Sequence, residues 1–339
     1  MKKKKIIVAE DSALMRSILK DTLTSEGYEV FLAKNGKEAL DAVKKMNFNA
    51  AILDINMPLI DGISVLKEFV KLGIPSIIFS SLTKESSNLI MEAIEIGAID
   101  VVQKPEIAVN IDEVKDELLK RIRAAIDCKI PPPLPEISKR SFMAKIANKS
   151  IAKKAVLIAA STGGPCLVKY ILQNISSNLG AAVLIVQHML PPFVKVFVEN
   201  LAKTSKIPVK EGTLSETIYE NMAYVAPGDY HMVVTNEKKI LLHKGEKVNF
   251  VRPSADLLFY SAAKAFGPYT LAVILSGIGC DGARGALYVK KAGGKVIVQD
   301  ESTSVVYGMP KSAIEIKAVD EVLSINEIPR RIAEIVDSF

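Results

Sequence analysis

The stretch VILSGIGCDGARGA, Val273 to Ala286, runs from an apolar strand signal through Gly277, Gly279 and Gly282 into the start of a helix. Around it, TLAVILS reads as a buried strand, ARGALYVKKAGG as a helix, and KVIVQD as the next strand, ending in Asp300. That order is also the fingerprint of a dinucleotide site, with its glycine loop and following acid. Asp281 argues against it. Inside such a loop its carboxylate would stand beside a pyrophosphate at a helix N-terminus, where like charges repel. The loop also falls late in the chain, whereas such fingerprints usually open the first βαβ unit. The stretch therefore decides for a parallel α/β unit and leaves Asp281 in need of another partner.

Composition bounds what surrounds this unit. A chain of 339 residues is long for one core, so two domains are expected. Hydrophobic residues make up 49%, yet no apolar run reaches membrane-spanning length, and no membrane insertion is expected. In MKKKKIIVAEDS, Glu10 and Asp11 interrupt the apolar stretch before it can serve as a leader. Cys128, Cys166 and Cys280 have neither an even count nor metal-ligand spacing, which fits a reducing compartment. A cytoplasmic monomer is the expectation.

The net charge of +6 is unevenly placed. Residues 127–154 carry a net +5, and Lys2 to Lys5 add four more, which leaves the remainder at −3. No nucleic-acid face is expected on folded bodies of that sign. The basic segment contains KIPPPLPEISKR, whose prolines forbid a helix, so residues 127–152 read as a linker between domains 1–126 and 153–339.

Residues 5–126 alternate β-rich apolar runs (KIIVAE, YEVFLA, AAILD, PSIIFSS, IDVVQK) with helical periods. Five βα units predict a parallel sheet covered on both faces, with its functional groups at the strands' C-terminal ends. Glu10 and Asp11 end the first strand, Asp54 the third and Lys104 the fifth; Ser81 follows the fourth. Three clustered carboxylates ask for a hard cation, and Mg²⁺ suits an open oxygen site that also receives phosphate. Asp54 is then the nucleophile toward a phosphoryl group, with Lys104 and Ser81 on its oxygens. With DINMPLIDG after Asp54 and Pro105 after Lys104, this half resembles a response-regulator receiver domain. The resemblance implies Asp54 as phosphoacceptor and Glu10, Asp11, Asp54 and the Asn56 carbonyl as the Mg²⁺ ligands. Receivers often carry an aromatic residue where this chain has Val101, so a swinging aromatic switch is not expected.

From residue 155, AVLIAA runs into STGGP and the helical CLVKYILQNI, which puts Ser161 at a strand-to-helix turn. Alone, Ser161 reads equally as a nucleophile or as an N-cap. Of the three histidines, His188 follows the buried strand AAVLIVQ and reaches the same sheet edge; His231 and His243 read as structural residues of a hairpin. Asp281 arrives at that edge after TLAVILS and could fix the His188 tautomer. In RPSADLLF, Ser254 reads as a helix cap.

ASTGGP, QHM, VAPGDYHM, RPSADLLF, LSGIGCDGA and YGMPKSA, in this order after a receiver, resemble the catalytic domain of the chemotaxis protein-glutamate methylesterase family. The resemblance implies two doubly wound α/β domains, the second mostly parallel with a β-hairpin. It implies Ser161 as nucleophile, His188 as base and Asp281 as orienting acid, with the amides of Thr162 and Ile278 at the oxyanion. Family members commonly have Met where Ile278 stands. The implied substrates are γ-glutamyl methyl esters, and glutamine side chains, on methylated chemoreceptors; a chemotaxis histidine kinase is the implied phosphodonor. Ester hydrolysis of this kind needs no cofactor. Two other classes remain open at this point, a phosphorylation-dependent adaptor without catalysis and a dinucleotide-dependent oxidoreductase.

Overall fold

Runs of β-branched and aliphatic residues with no polar alternation form central parallel strands, because both of their faces are covered by helices. The computed structural model describes residues 3–81, 84–105, 111–128 and 150–339. It divides into two units, Met1–Ile130 and Pro131–Phe339.

The first unit alternates strands β1 (Lys5–Ala9), β2 (Glu29–Ala33), β3 (Ala50–Leu53), β4 (Ser76–Ser80) and β5 (Asp100–Gln103) with helices. The helices are α1 (Ala13–Ser25), α2 (Gly36–Val43), α3 (Gly62–Lys71), α4 (Lys84–Ile96) and α5 (Ile111–Asp127). The strand order is β2-β1-β3-β4-β5, all parallel. Chain order reverses between β1 and β3, which opens the crevice where such sheets bind ligands. Glu10 and Asp54 directly follow those two strands.

The second unit contains β6 (Ala155–Ala160), α6 (Gly164–Asn174), β7 (Ala182–Gln187), α7 (Pro191–Thr204), β8 (Val209–Glu211) and β9 (Ala223–Val225). A hairpin of β10 (His231–Val234) and β11 (Ile240–His243) leads to α8 (Ala255–Phe266) and β12 (Thr270–Ile274). There follow α9 (Ala283–Lys291), β13 (Lys295–Gln299), α10 (Gly308–Glu315), β14 (Glu321–Leu323) and α11 (Ile328–Ser338). Seven parallel strands form one sheet in the order β14-β13-β12-β6-β7-β9-β8, and β10 and β11 pair antiparallel apart from it. The two parallel α/β sheets and the hairpin are those expected from the sequence.

At the centre, β6 is buried along its whole length and pairs with β12 on one side and β7 on the other. Chain order reverses there too, so the crevice of the second sheet lies past the ends of β6 and β12. Of the expected linker 127–152, residues 129–149 lie outside the described residues. Asp127 is the last residue of α5, and Ile151 already bridges Tyr219 of the second unit.

Candidate functional site

In the first unit, the strand ends bring three acids around one lysine. Carboxylate oxygens of Glu10, Asp11 and Asp54 lie within 4.8 Å of one another. Lys104 Nζ, just past β5, donates to Asp54 Oδ2 at 2.7 Å and to Glu10 Oε1 at 2.8 Å. Burial pushes the Asp54 and Glu10 carboxyls above their ordinary range, against the pull of Lys104. Burial would lower Lys104, but its bonds to Asp54 and Glu10 prevail and raise it. Three carboxylates against one ammonium leave an all-oxygen pocket two negative charges in excess. A hard dication fits that donor set. The Asn56 N–H donates to Asp54 Oδ1 at 3.2 Å.

Ser81 stands exposed one residue beyond β4, and its carbonyl accepts from Ser86 Oγ at 2.7 Å. Ser80, by contrast, is fully buried at the end of β4, and its hydroxyl has no hydrogen-bond partner among the described residues. A buried hydroxyl without a partner is unusual enough to need a reason. The sequence reading passed over Ser80; its signal was the doubled serine at the strand end. Val101, in place of the aromatic residue, is buried within β5.

In the second unit the edge forms around Ala160 and Gln187, the last paired residues of β6 and β7. Ser161 and His188 follow them directly, and the His188 N–H donates to Ala160 O at 2.9 Å. Gln187 Nε2 donates to both the Ser161 carbonyl (2.9 Å) and the His188 carbonyl (3.1 Å), tying the two loops together. From the other side, the Ser161 N–H donates to Ser276 O at 3.0 Å. A Cβ on Gly277 would come within 2.7 Å of Ser161 Cβ, so this glycine serves close approach of two chains. Ser161 is not a helix cap: that position belongs to Gly163, in the left-handed region with φ 75°.

His188 Nε2 lies 2.8 Å from Asp281 Oδ2. Among the described residues no hydrogen bond joins Ser161 Oγ to His188, so the structure pairs His188 with Asp281 and brings Ser161 only to their edge. Thr162 lies buried in the turn between β6 and α6, and Ile278 half-buried in the loop after β12.

Asp281 also receives Ser254 Oγ at 2.6 Å, Asn249 Nδ2 at 2.9 Å, and the N–H groups of Ala255 (2.6 Å) and Asp256 (3.3 Å). Its carboxylate therefore caps α8, whose N-terminal dipole favours a negative charge. Ser254 holds the cap position expected for it, but its hydroxyl makes no cap bond and turns to Asp281 instead. Burial works against the Asp281 charge; the His188 contact, then Ser254 and Ala255, outweigh it and hold the carboxyl below its ordinary range.

His231 and His243 pair across the hairpin with ring centroids 5.2 Å apart. His231 is nevertheless linked to the site, because its Nδ1 accepts the Ser254 N–H at 3.1 Å while Nε2 donates to Glu246 O at 2.9 Å. Sequence reasoning missed this support, together with Asn249 and the hydroxyl of Ser254. Asp300, the acid of the dinucleotide fingerprint, is engaged locally with Ser302 and Thr303. The glycine loop thus packs and turns, with Gly279 and Gly282 at φ 94° and 90°.

An acidic pocket at the strand ends of one α/β unit and a serine, a histidine and an aspartate near the switch point of another are the arrangement of a receiver joined to a hydrolase. Comparison with known families agrees in both parts. Residues 6–116 match the response regulator receiver domain, and residues 156–332 match CheB methylesterase. The chain belongs to the CheB methylesterase family. A protein-glutamate methylesterase/protein-glutamine glutaminase of Pyrococcus horikoshii is 41% identical over 349 residues, covering 99% of this chain and 94% of that protein. One of Clostridium acetobutylicum is 39% identical over 343 residues, covering 99% of each. The crystal structure of the Thermotoga maritima CheB methylesterase catalytic domain shares 42% identity and covers 54% of this chain and 98% of that one, with a TM-score of 0.53.

Proposed function

We propose that the chain is a phosphorylation-activated hydrolase of glutamate γ-methyl esters on chemoreceptors, and of glutamine side chains by the same chemistry. The observation that carries this reading is the 2.8 Å contact between His188 and Asp281 at the sheet edge that Ser161 shares. With Nε2 committed to Asp281, Nδ1 is the nitrogen left to take the Ser161 proton. Ser161 Oγ attacks the ester carbonyl, and the resulting oxyanion is met by main-chain N–H groups, of which Thr162 and Ile278 are the candidates. The proton then passes from His188 to the departing methoxide, and methanol leaves an acyl-Ser161. Water, deprotonated by His188, attacks the acyl carbon and releases glutamate, and the proton returns to Ser161. From glutamine, ammonia leaves in place of methanol. These steps require no cofactor.

In the receiver, Asp54 accepts a phosphoryl group from a chemotaxis histidine kinase. Glu10, Asp11, Asp54 and the Asn56 carbonyl would hold Mg²⁺, which neutralises phosphate charge when bound. Lys104 and Ser81, with the unpartnered Ser80 hydroxyl beside it, face the phosphoryl oxygens. A monomer in the cytoplasm suits these partners; no helix of the described residues is long and apolar enough to cross a membrane. The test is methanol release from membranes bearing methylated receptors, with and without a small phosphodonor and Mg²⁺. Release that rises with the phosphodonor supports the reading, and an absence of release under both conditions overturns it.

A further inference from the structure

Val248 and Val251 exchange backbone hydrogen bonds, N to O at 3.2 and 3.0 Å, and so close a two-residue turn over Asn249 and Phe250. Both turn residues lie in the left-handed region, at φ 52° and 65°. Such turns favour Asn followed by Gly, because a side chain at the second position is strained there. This chain has Phe at that position, and its side chain is 92% exposed.

A single exposed aromatic residue means nothing by itself. Here the turn is also anchored to the catalytic acid: Asn249 Nδ2 donates to Asp281 at 2.9 Å and to Asp256 at 2.8 Å. Phe250 is therefore a strained aromatic residue held at the rim of the site, next in the chain to a residue that touches Asp281. The His188 and Asp281 side chains are only 10% and 3% exposed, so a reacting side chain must reach inward while the chain that bears it stays outside. On the other flank, His188 is followed by Met189, Leu190 and the exposed Pro191 and Pro192, which makes that rim apolar as well.

We propose that Phe250 is a specificity-determining contact that packs against apolar side chains neighbouring the methylated glutamate on the substrate protein. The inference rests on the esterase reading above and deepens it. Residues held in sparsely populated backbone regions cluster at functional sites, and Phe250 is such a residue one position from the contact with Asp281.

The experiment compares full-length wild type with Phe250→Gly and Phe250→Ser on two substrates, methylated receptor membranes and a small soluble glutamate γ-methyl ester. The ratio of kcat/KM for receptor to kcat/KM for the small ester is expected to fall about tenfold, as for truncation of an aromatic anchor. The loss should lie mainly in KM for the receptor. Phe250→Gly, which relieves the turn, is expected to keep or raise Tm, where a merely structural ring would lower it. An unchanged ratio overturns the inference, as does a lower Tm with equal loss on both substrates. Higher small-ester turnover by unphosphorylated variants would also overturn it, because Phe250 would then be packing against the receiver. Wild type that releases no methanol from either substrate overturns the esterase reading itself, an outcome distinct from working wild type with an unaffected variant.

Discussion

Ser254 donates its hydroxyl to Asp281 at 2.6 Å from the position where a serine ordinarily caps its own helix. Asp281 takes over the cap, so one carboxylate both closes α8 and orients His188. The helix start and the partner of His188 are thereby one structural unit.

Replacing Asp281 by Asn tests both roles. Methanol release is expected to fall at least about tenfold, because the amide cannot stabilise an imidazolium as a carboxylate does. Stability should fall on the order of 2 kcal/mol, the scale of a charge-assisted hydrogen bond. Since the folded carboxyl lies below its ordinary range, its contribution is complete above ~3.9 and is lost as pH falls through the lower folded value. The gap in urea midpoint between wild type and variant should therefore be wide at pH 7 and narrow in acid.

Ser161→Ala should remove methanol release almost entirely, by about 10³-fold or more. Incorporation of phosphate at Asp54 from a small phosphodonor should be unchanged, since the two residues belong to separate units. Residual wild-type turnover would reassign the nucleophile.

Asp54→Asn should leave basal hydrolysis in place and abolish its stimulation by phosphodonor. Removing Mg²⁺ with a chelator should have the same effect on wild type. Rates measured with and without the donor give the ratio directly, and it should approach one in both cases.

His231 supports Ser254 through a neutral ring nitrogen, and burial lowers its pKa, with the His243 and Arg252 charges acting in the same direction. A histidine shifted this way contributes its full stability above ~6.5 and loses it as pH falls below that value. Denaturation midpoints recorded between pH 5 and 7 should show a slope in wild type that flattens in His231→Gln. An equal slope in both would place the titration elsewhere.

The meeting of His188 with Asp281 was legible because Ser161 and His188 directly follow apolar strands, Asp281 lies in the loop after a third, and parallel strands deliver such residues to a common edge. The five parallel strands of the first unit were legible for the same reason. What escaped depends on distance through space. Asn249 touches Asp281 across 32 residues of chain, and no period in the sequence marks it. His231 read as structural because it does not follow a strand of the main sheet, although one backbone N–H links it to the site. Ser80 and Ser81 differ only in which of them the strand buries, a matter of a single residue at its end.

His188 and Asp281 stand 93 residues apart, and β12, which precedes Asp281, pairs directly with β6 at the middle of the seven-stranded sheet. A nascent chain that has emerged only through α8 holds Ser161 and His188 yet lacks Asp281. Under the proposed mechanism, hydrolytic competence therefore arrives late in synthesis, once the sheet's central pairing has closed. Turnover by that mechanism doubles as a readout of complete folding, and a polypeptide of this sequence terminated before β12 would be born inert.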